Sequence, residues 1–251
     1  VYSATFSPDG QLFATASDDD KISLWNVSDG SQLREIEASF GGITAIDISA
    51  SNLLLASGSW DGTIGLWQKS GQLLRTLAGH ENNVRDIEFS PDGSLLASAS
   101  DDHTVRLWRV SDGELLHTLR GHTATVRKVS FSPNGSWLAS ASDDDTINLW
   151  QMSDGSLIKE LQGHNDSVIE LAFSTDSSLM ASGADDGRIM LWQVPEGVMI
   201  RVLEEYSESI TGLDFSPEGN LLAAGAWDGA IFFWGLSEAI QIETEMPAPD
   251  S

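Results

Sequence analysis

The 251-residue chain is strongly acidic, with 38 Asp and Glu against 13 Lys and Arg and a formal net charge of -25 at pH 7. A negative field of this size repels nucleic-acid phosphates and anionic lipid headgroups, so we expect neither nucleic acid nor a membrane surface as a partner. With 41% hydrophobic residues and nine Trp, the composition is that of a folded chain. Cysteine is absent, which excludes disulfides, thiolate zinc sites and cysteine nucleophiles.

The chain consists of six repeats, each with an apolar-polar-apolar stretch that ends in tryptophan. These residues are Trp25, Trp67, Trp108, Trp150, Trp192 and Trp234, at spacings of 42, 41, 42, 42 and 42 residues. The single short spacing reflects a deletion in a turn, where Ser70-Gly71 replaces Ser111-Asp112-Gly113. Repetition at this period indicates a repeat architecture. The repeats run over about 1–38, 39–79, 80–121, 122–163, 164–205 and 206–246, and residues 247–251 have the composition of a tail or linker.

Each repeat predicts four short strands separated by turns. In the third repeat the predicted strands are 84–89, 94–100, 104–110 and 114–119. The turn Ser90-Pro91-Asp92-Gly93 supplies a proline that fixes φ near about -65° and a glycine that accepts positive φ. Four antiparallel strands in ~42 residues make one propeller blade. The predicted fold is therefore all-β, a single β-propeller domain over residues 1–246 with six four-stranded antiparallel blades.

Three repeats carry a recurring pattern of His, Ser, Asp and Trp that resembles the WD-repeat family. Each of these repeats has a Gly-His dipeptide followed 28 residues later by the strand-ending Trp, with Ser ten and Asp six residues before that Trp. The three sets are His80, Ser98, Asp102 and Trp108; His122, Ser140, Asp144 and Trp150; and His164, Ser182, Asp186 and Trp192. The resemblance covers all six repeats and implies that each set forms a hydrogen-bonded structural tetrad inside a blade.

The other three repeats depart from this pattern. The first keeps Thr15, Asp19 and Trp25, and the second has Ser39 at the His position with Ser57, Asp61 and Trp67. The sixth has Tyr206, Ala224, Asp228 and Trp234. We therefore expect complete tetrads in the third to fifth blades and weaker ones where the first and last blades would meet.

Two chemical interpretations compete with the structural one. A Ser–His–Asp set is also the constellation of acyl-transfer enzymes, and the acidic turns could hold calcium, so a propeller hydrolase or a metal-stabilised propeller is the alternative function. Three identical copies without an oxyanion-hole motif favour a repeated structural element. Adjacent acidic side chains in a tight turn point apart, which favours solvated turns. We expect no catalytic residues, no metal site and no cofactor.

Two tryptophans occupy a turn position where the other repeats carry an aspartate. Trp60 and Trp227 stand just before the Asp of their repeats, and the matching residues are Asp18, Asp101, Asp143 and Asp185. By the family's geometry this turn lies on the rim of the binding face, together with Tyr2, Arg85 and Arg127 of the first strands. The rings either fold over their own blades or contact a partner, and the arginines either face a partner or pair with the neighbouring Asp.

The resemblance implies a non-catalytic module for protein–protein recognition. The near-identical repeats resemble those of bacterial multidomain signalling or defence proteins, so we expect a scaffold or sensor domain of such a protein in the cytoplasm. Charge complementarity favours a protein or peptide partner with a basic patch. We also expect the six blades to close into a ring by packing of the first blade on the sixth, although an open arc that lacks one blade is the other possibility.

Overall fold

The computed structural model describes residues 1–38, 41–51 and 53–236. Within these ranges the chain forms six antiparallel sheets, one for each repeat. Five sheets have four strands in chain order, and the sixth has three described strands. The all-β, bladed architecture predicted from the repeats is confirmed. The predicted fourth strand of the last blade and the tail at 247–251 lie outside the described residues.

The strand bounds repeat from blade to blade. The first three blades consist of β1 (Ser3–Phe6), β2 (Leu12–Ala16), β3 (Lys21–Asn26), β4 (Gln32–Glu37), β5 (Ile43–Ile48), β6 (Leu54–Ser59), β7 (Thr63–Gln68), β8 (Leu73–Ala78), β9 (Val84–Phe89), β10 (Leu95–Ser100), β11 (Thr104–Arg109) and β12 (Leu115–Arg120). The last three consist of β13 (Val126–Phe131), β14 (Trp137–Ser142), β15 (Thr146–Gln151), β16 (Leu157–Gln162), β17 (Val168–Phe173), β18 (Leu179–Ala184), β19 (Arg188–Gln193), β20 (Val198–Glu205), β21 (Ile210–Phe215), β22 (Leu221–Ala226) and β23 (Ile231–Gly235).

The hydrophobic core lies between the blades. Each of five buried clusters joins the third-strand face of one blade to the first strand and the tryptophan of the next. Between the third and fourth blades, for example, Val105 and Leu107 pack with Val129, Phe131 and Trp150. Both faces of an inner blade are therefore buried, which explains why its strands lack a simple alternation of apolar and polar residues.

The first and last blades do not pack on each other in the described part of the chain, so the expected closed six-bladed ring is wrong for these residues. Ile231 and Phe233 of β23 are each 68% exposed, whereas the equivalent Val105 and Leu107 are 0% and 1% exposed. Phe6, on the matching face of the first blade, is 60% exposed. The blades form an arc with an apolar face uncovered at each end, because no described blade supplies the next partner.

The strand order gives the arc two sides. The turns between the second and third strands, which contain the predicted tetrad aspartates, lie on one side, here called the tetrad side. The turns between the first and second and between the third and fourth strands lie on the opposite side. Within the described ranges, no helix is long and apolar enough to span a lipid bilayer.

Candidate functional site

The structure brings the four side chains of each predicted tetrad together. In the third blade, His80 Nδ1 lies 2.8 Å from Asp102 Oδ2, and His80 Nε2 lies 2.7 Å from Ser98 Oγ. The indole N–H of Trp108 donates to the same Oγ at 2.9 Å. Because an indole N–H can only donate, the Ser98 hydroxyl is left to donate to Nε2, which places the imidazole proton on Nδ1 facing Asp102.

The tetrads of the fourth and fifth blades repeat this geometry. His122 Nε2 lies 2.8 Å from Ser140 Oγ, and its Nδ1 lies 3.0 Å from Asp144 Oδ2. His164 has the same contacts, at 2.8 Å to Ser182 Oγ and 3.1 Å to Asp186 Oδ1. The indole N–H of each blade completes its set: Trp150 donates to Ser140 at 2.9 Å and Trp192 donates to Ser182 at 2.8 Å.

Additional donors that the sequence pattern did not reveal surround the tetrad carboxylates. The hydroxyls of Thr104 and Thr146 each donate to the Asp two residues earlier at 2.6 Å. Burial alone would raise the pKa of the Asp102 carboxyl, but the hydrogen bonds from His80 and Thr104 hold it well below its ordinary value. Asp144 has a lowered pKa for the same reasons. Burial also lowers the pKa of the His80 and His164 imidazoles, which favours the neutral form of both rings.

The tetrad serines are too enclosed to act as nucleophiles. Ser98, Ser140 and Ser182 are each 0% exposed, and each hydroxyl oxygen already accepts a hydrogen bond from tryptophan. A substrate carbonyl cannot approach an oxygen enclosed in this way. The tetrads therefore link the second and third strands of a blade to the loop that enters it.

The incomplete tetrads retain part of the network. Trp25 donates to Thr15 at 3.1 Å, and Trp67 donates to Ser57 at 2.9 Å. In the sixth blade the hydroxyl of Tyr206 donates to Asp228 at 2.9 Å, in place of the imidazole. Ser39, predicted at the His position of the second repeat, lies outside the described residues.

The two arginines predicted at the rim are paired within their own blades. Arg85 donates to both oxygens of Asp101 at 2.6 and 2.8 Å, and Arg127 donates to both oxygens of Asp143 at 2.7 and 2.8 Å. Both pairs have the bidentate geometry of a strong ion pair. Of the alternatives left open by the sequence, pairing with the turn aspartates is the one adopted. The charges of Asp101 and Asp143 are therefore already balanced by arginines of their own blades, which reduces their attraction for a basic partner.

The two turn tryptophans have different surroundings, although they occupy equivalent turn positions in the sequence. The guanidinium of Arg85 lies over the Trp60 ring, and the edge of Tyr2 contacts the ring at a centroid distance of 6.0 Å. Trp227 is 77% exposed. Trp60 is thus held between the first and third blades, whereas Trp227 projects from the last described blade with most of its ring in solvent.

The remaining rim residues fall between these extremes. Asp18 and Asp185 are exposed, and Tyr2 has 56% of its surface exposed. Ile169 occupies in the fifth blade the position that Arg127 has in the fourth, so the first-strand arginine that pairs with Asp101 and Asp143 is replaced there by an apolar residue. Asp185 interacts with the charge of Arg127 from the preceding blade, without a hydrogen-bonded ion pair among the described residues. Near the last blades, the tetrad side therefore presents an exposed carboxylate and an exposed indole at equivalent turn positions.

The first strands of the blades line a central cavity of about 460 Å³, which the repeat pattern does not reveal. Its charged groups are Lys128 and the carboxyls of Asp47, Asp86, Glu88, Glu170 and Asp214. Three of these carboxylates tie one blade to the next by accepting a backbone N–H: Asp47 from Phe89 at 2.8 Å, Asp86 from Val129 at 3.0 Å and Glu88 from Phe131 at 2.8 Å. In the sequence they resemble the solvated face of a strand.

Burial in this cavity shifts the acidity of its carboxyls. It raises the pKa of Asp47 to about 6 and that of Glu170 to about 7. Burial together with the nearby Asp47 raises the pKa of Glu88 well above its ordinary value. Lys128 lies 3.5 Å from Asp86, and this carboxylate raises the pKa of the ammonium group. Lys128 is thus a cation at physiological pH, and it is surrounded by carboxyls whose pKa values burial raises above their ordinary range.

A metal site is not formed by the residues that the structure describes. Within these ranges, no three His, Asp or Glu side chains have an arrangement that could hold a metal ion. In the third and fourth blades the acidic turns are instead occupied by tetrad hydrogen bonds and by Arg85 and Arg127.

Comparison with known proteins identifies the class to which this fold belongs. The family described as the IFT122 first beta-propeller matches residues 86–249, and the family described as PROPPIN matches residues 11–154. Each match covers more than half of the chain. The protein therefore belongs to the WD-repeat β-propeller proteins, as the residue pattern of the tetrads indicates.

Several curated relatives are similar over one or two blades. Periodic tryptophan protein 2 of Arabidopsis thaliana is 40% identical over 67 residues, which is 27% of this chain and 7% of the relative. Eukaryotic translation initiation factor 3 subunit I of Neurospora crassa is 39% identical over 72 residues, 28% of this chain and 21% of the relative. COMPASS component SWD3 of Saccharomyces cerevisiae is 34% identical over 79 residues, 31% of this chain and 25% of the relative. The chain thus matches a quarter or less of these relatives, all of them eukaryotic.

Proposed function

We propose that this chain is a protein-binding module that recognises a partner through the tetrad side of its arc. The main supporting observation is the exposure of Trp227, since a large aromatic side chain at 77% exposure in a polar turn is a typical anchor for a partner. Two of the similar proteins are named as a subunit of a translation initiation factor and as a component of COMPASS, which is consistent with a role in assembly.

The proposed contact surface is centred on Trp227 and Asp185. Asp18 and Tyr2 add exposed side chains on the tetrad side of the first blade, where Trp60 contacts Tyr2 and Arg85, while Arg127 pairs with Asp143 in the fourth blade. A partner segment with arginine or lysine fits this surface, because a cation can stack on the exposed indole of Trp227 and pair with the exposed carboxylate of Asp185. Asp101 and Asp143 contribute less, since their own arginines already neutralise them.

The same proposal includes the absence of catalysis. The serine hydroxyls of the tetrads are enclosed, and the WD-repeat relatives are named as components of assemblies. A cytoplasmic location stays a prediction. The expected origin in a bacterial multidomain protein has no support from the relatives, which are eukaryotic.

A selection from random peptides tests the proposed surface directly. A displayed library of random dodecapeptides is selected on the immobilised protein, with counter-selection on the Trp227→Ala variant. We expect enriched sequences that carry arginine or lysine and do not bind the variant. Enrichment of acidic or neutral sequences that bind both proteins equally would contradict the proposed surface.

A further inference from the structure

A groove on the side opposite the tetrads occurs at the second blade. It has two parts that share Leu54: a cavity of about 260 Å³ also lined by Leu66, Leu74 and Val110, and one of about 340 Å³ also lined by Leu53 and Lys69. Leu53 is 64% exposed and Leu74 is 42% exposed. The groove is therefore apolar and open to solvent.

The groove results from an exchange of polarity that is specific to the second blade. In each of the six blades, the residue that follows the third strand donates its backbone N–H to the backbone carbonyl of the residue that precedes the second strand. This hydrogen bond identifies equivalent residues in the six blades. In the second blade the donor is Lys69 and the acceptor is Leu53. In the other blades the donor–acceptor pairs are Val27–Gln11, Val110–Ser94, Met152–Ser136, Val194–Ser178 and Leu236–Asn220.

Five blades thus have an apolar donor residue and a polar acceptor residue, and the second blade has the reverse. Val194 is 6% exposed in a core cluster and Val110 and Met152 are partly buried against theirs, whereas Val27 of the first blade is 42% exposed and Lys69 is exposed. The turn between the third and fourth strands of the second blade, which contains Lys69, is also one residue shorter than in the other repeats. The space that an apolar side chain would fill is left open beside an exposed leucine.

Cations surround this groove although the chain as a whole is acidic. Lys69 and Arg75 line it, and Arg34 lies against Gly71 in the shortened turn. Within the described residues none of the three forms an ion pair, whereas Lys21, Arg85 and Arg127, for example, do. Arg75 donates only to the carbonyl of Ser111, at 3.2 Å. Asp9 is the carboxylate that interacts with Lys69, and it is held by Ser7 and the backbone of Gln11.

We propose that this groove binds an acidic peptide segment of a partner protein through a large aliphatic side chain. The aliphatic side chain packs against Leu53, Leu54 and Leu74, and the carboxylates of the segment pair with Lys69 and Arg75. The apolar lining supplies affinity, and Lys69 and Arg75, which form no ion pair within the described residues, supply the preference for acidic sequence. This surface is separate from the one proposed around Trp227, and it selects the opposite charge.

Fluorescence polarisation of a labelled peptide with the sequence Asp-Glu-Leu-Leu-Glu-Asp tests the proposal at low ionic strength. We expect saturable binding to the full chain, weakened about tenfold by Leu53→Ser, since one leucine contact is lost. Lys69→Val restores the residue type of the other blades and is expected to reduce affinity about threefold or more by filling the groove and removing a cation. Both substitutions introduce residues that equivalent positions already carry, so the fold is retained, as thermal unfolding can verify.

Leu157→Ser is the matched control, because Leu157 is an exposed leucine of the fourth blade at 43% exposure, and it is expected to leave binding unchanged. A peptide with serines in place of both leucines is expected to lose binding. The proposal is overturned if both peptides bind equally, if Leu53→Ser and Leu157→Ser have the same effect, or if no saturation occurs up to about 1 mM. Concentration-dependent dimers that Leu53→Ser abolishes would show that the occupant is a second copy of the chain instead.

Discussion

The guanidinium carbon of Arg85 lies 5.3 Å from the ring centre of Trp60. Arg85 is fixed in turn by its two hydrogen bonds to Asp101, so an indole, a guanidinium and a carboxylate connect the second and third blades on the tetrad side. Trp227 has the same turn position in the sixth blade but is 77% exposed. Equivalent residues therefore have different roles, because only one of them has a described blade on each side.

This difference predicts different stabilities for two alanine variants. Trp60→Ala is expected to lower the free energy of unfolding by about 1–3 kcal/mol, since it removes contacts with Tyr2 and Arg85. Trp227→Ala is expected to change it by no more than about 0.5 kcal/mol. Denaturant unfolding measures both values, and iodide should quench the fluorescence of Trp227 more than that of Trp60. Equal losses in the two variants would contradict the assignment.

Removal of one tetrad histidine is expected to destabilise the fold. His122→Ala leaves Ser140 and Asp144 without their shared partner, which costs about 1–3 kcal/mol. His117→Ala, at an exposed position of β12, is the matched control and is expected to have little effect. Thermal unfolding of the two variants decides the point, because an unchanged melting temperature for His122→Ala would mean that the tetrad contributes no stability.

The tetrads and the blades could be predicted from the sequence because their signals are local and repeated. His, Ser, Asp and Trp recur at fixed spacings, and a spacing that recurs three times determines which residues meet. The sequence could not decide whether Arg85 contacts a partner or pairs with Asp101. Arg85 lies on the first strand of its blade and Asp101 in the turn between the second and third strands, and these segments come together only in the folded blade.

The exposed end faces of the arc and the central cavity could not be predicted from the sequence, for a different reason. Phe233 and Leu107 occupy equivalent positions, and only the relation between blades decides that one is exposed and the other buried. Asp86 and Glu88 alternate along a strand like solvated residues, yet their side chains accept hydrogen bonds from the next blade. Contacts that join separate repeats leave no spacing signal within one repeat.

Because the last described blade has an uncovered face, we expect a charged substitution on its third strand to destabilise the fold less than the same substitution on the third strand of an inner blade. Leu107→Glu places a carboxylate in a buried interface and is expected to cost at least about 4 kcal/mol or to prevent folding. Phe233→Glu is expected to cost less than about 1 kcal/mol and to reduce binding of a hydrophobic dye. If Phe233→Glu is as damaging as Leu107→Glu, the first and sixth blades are packed together in solution and the ring is closed.

A buried asparagine offers a stabilising substitution. Asn148 on β15 is 0% exposed, and its amide nitrogen and oxygen have no hydrogen-bond partner among the residues that the structure describes. Met190 occupies the equivalent position of the fifth blade and is 2% exposed in its core cluster. Asn148→Met is expected to raise the free energy of unfolding by about 1–2 kcal/mol, because it removes an unsatisfied amide from the interior. A lower melting temperature would indicate that the amide has a partner in solution, such as a bound water.

The pKa shifts predict an acidic optimum of stability. The raised pKa values of Asp47, about 6, and Glu170, about 7, mean that the folded state retains protons which the unfolded state, with ordinary values of 3.8 and 4.5, has released. Stability is therefore lost as pH rises through these folded-state values. The lowered pKa values of Asp102 and Asp144 act in the opposite direction, with stability lost as pH falls below about 4.

Melting temperatures measured from pH 3 to 8 test this balance, and for these four carboxyls we expect a maximum near about pH 4, where the two opposing effects cancel. Asp47→Asn removes one titrating group from the cavity and is expected to flatten the decline between about pH 4 and 6. A melting temperature that rises steadily from pH 5 to 8 would contradict the proposed protonation of the cavity.

The central claim is that the tetrad side binds a basic protein segment through Trp227 and Asp185. Isothermal titration of one selected basic peptide against the wild-type protein, Trp227→Ala and Asp185→Asn tests it most directly. We predict that Trp227→Ala weakens binding by about 2 kcal/mol, roughly thirtyfold, and that Asp185→Asn weakens it by a smaller amount that decreases as salt is added. Affinities that are equal for all three proteins would contradict it.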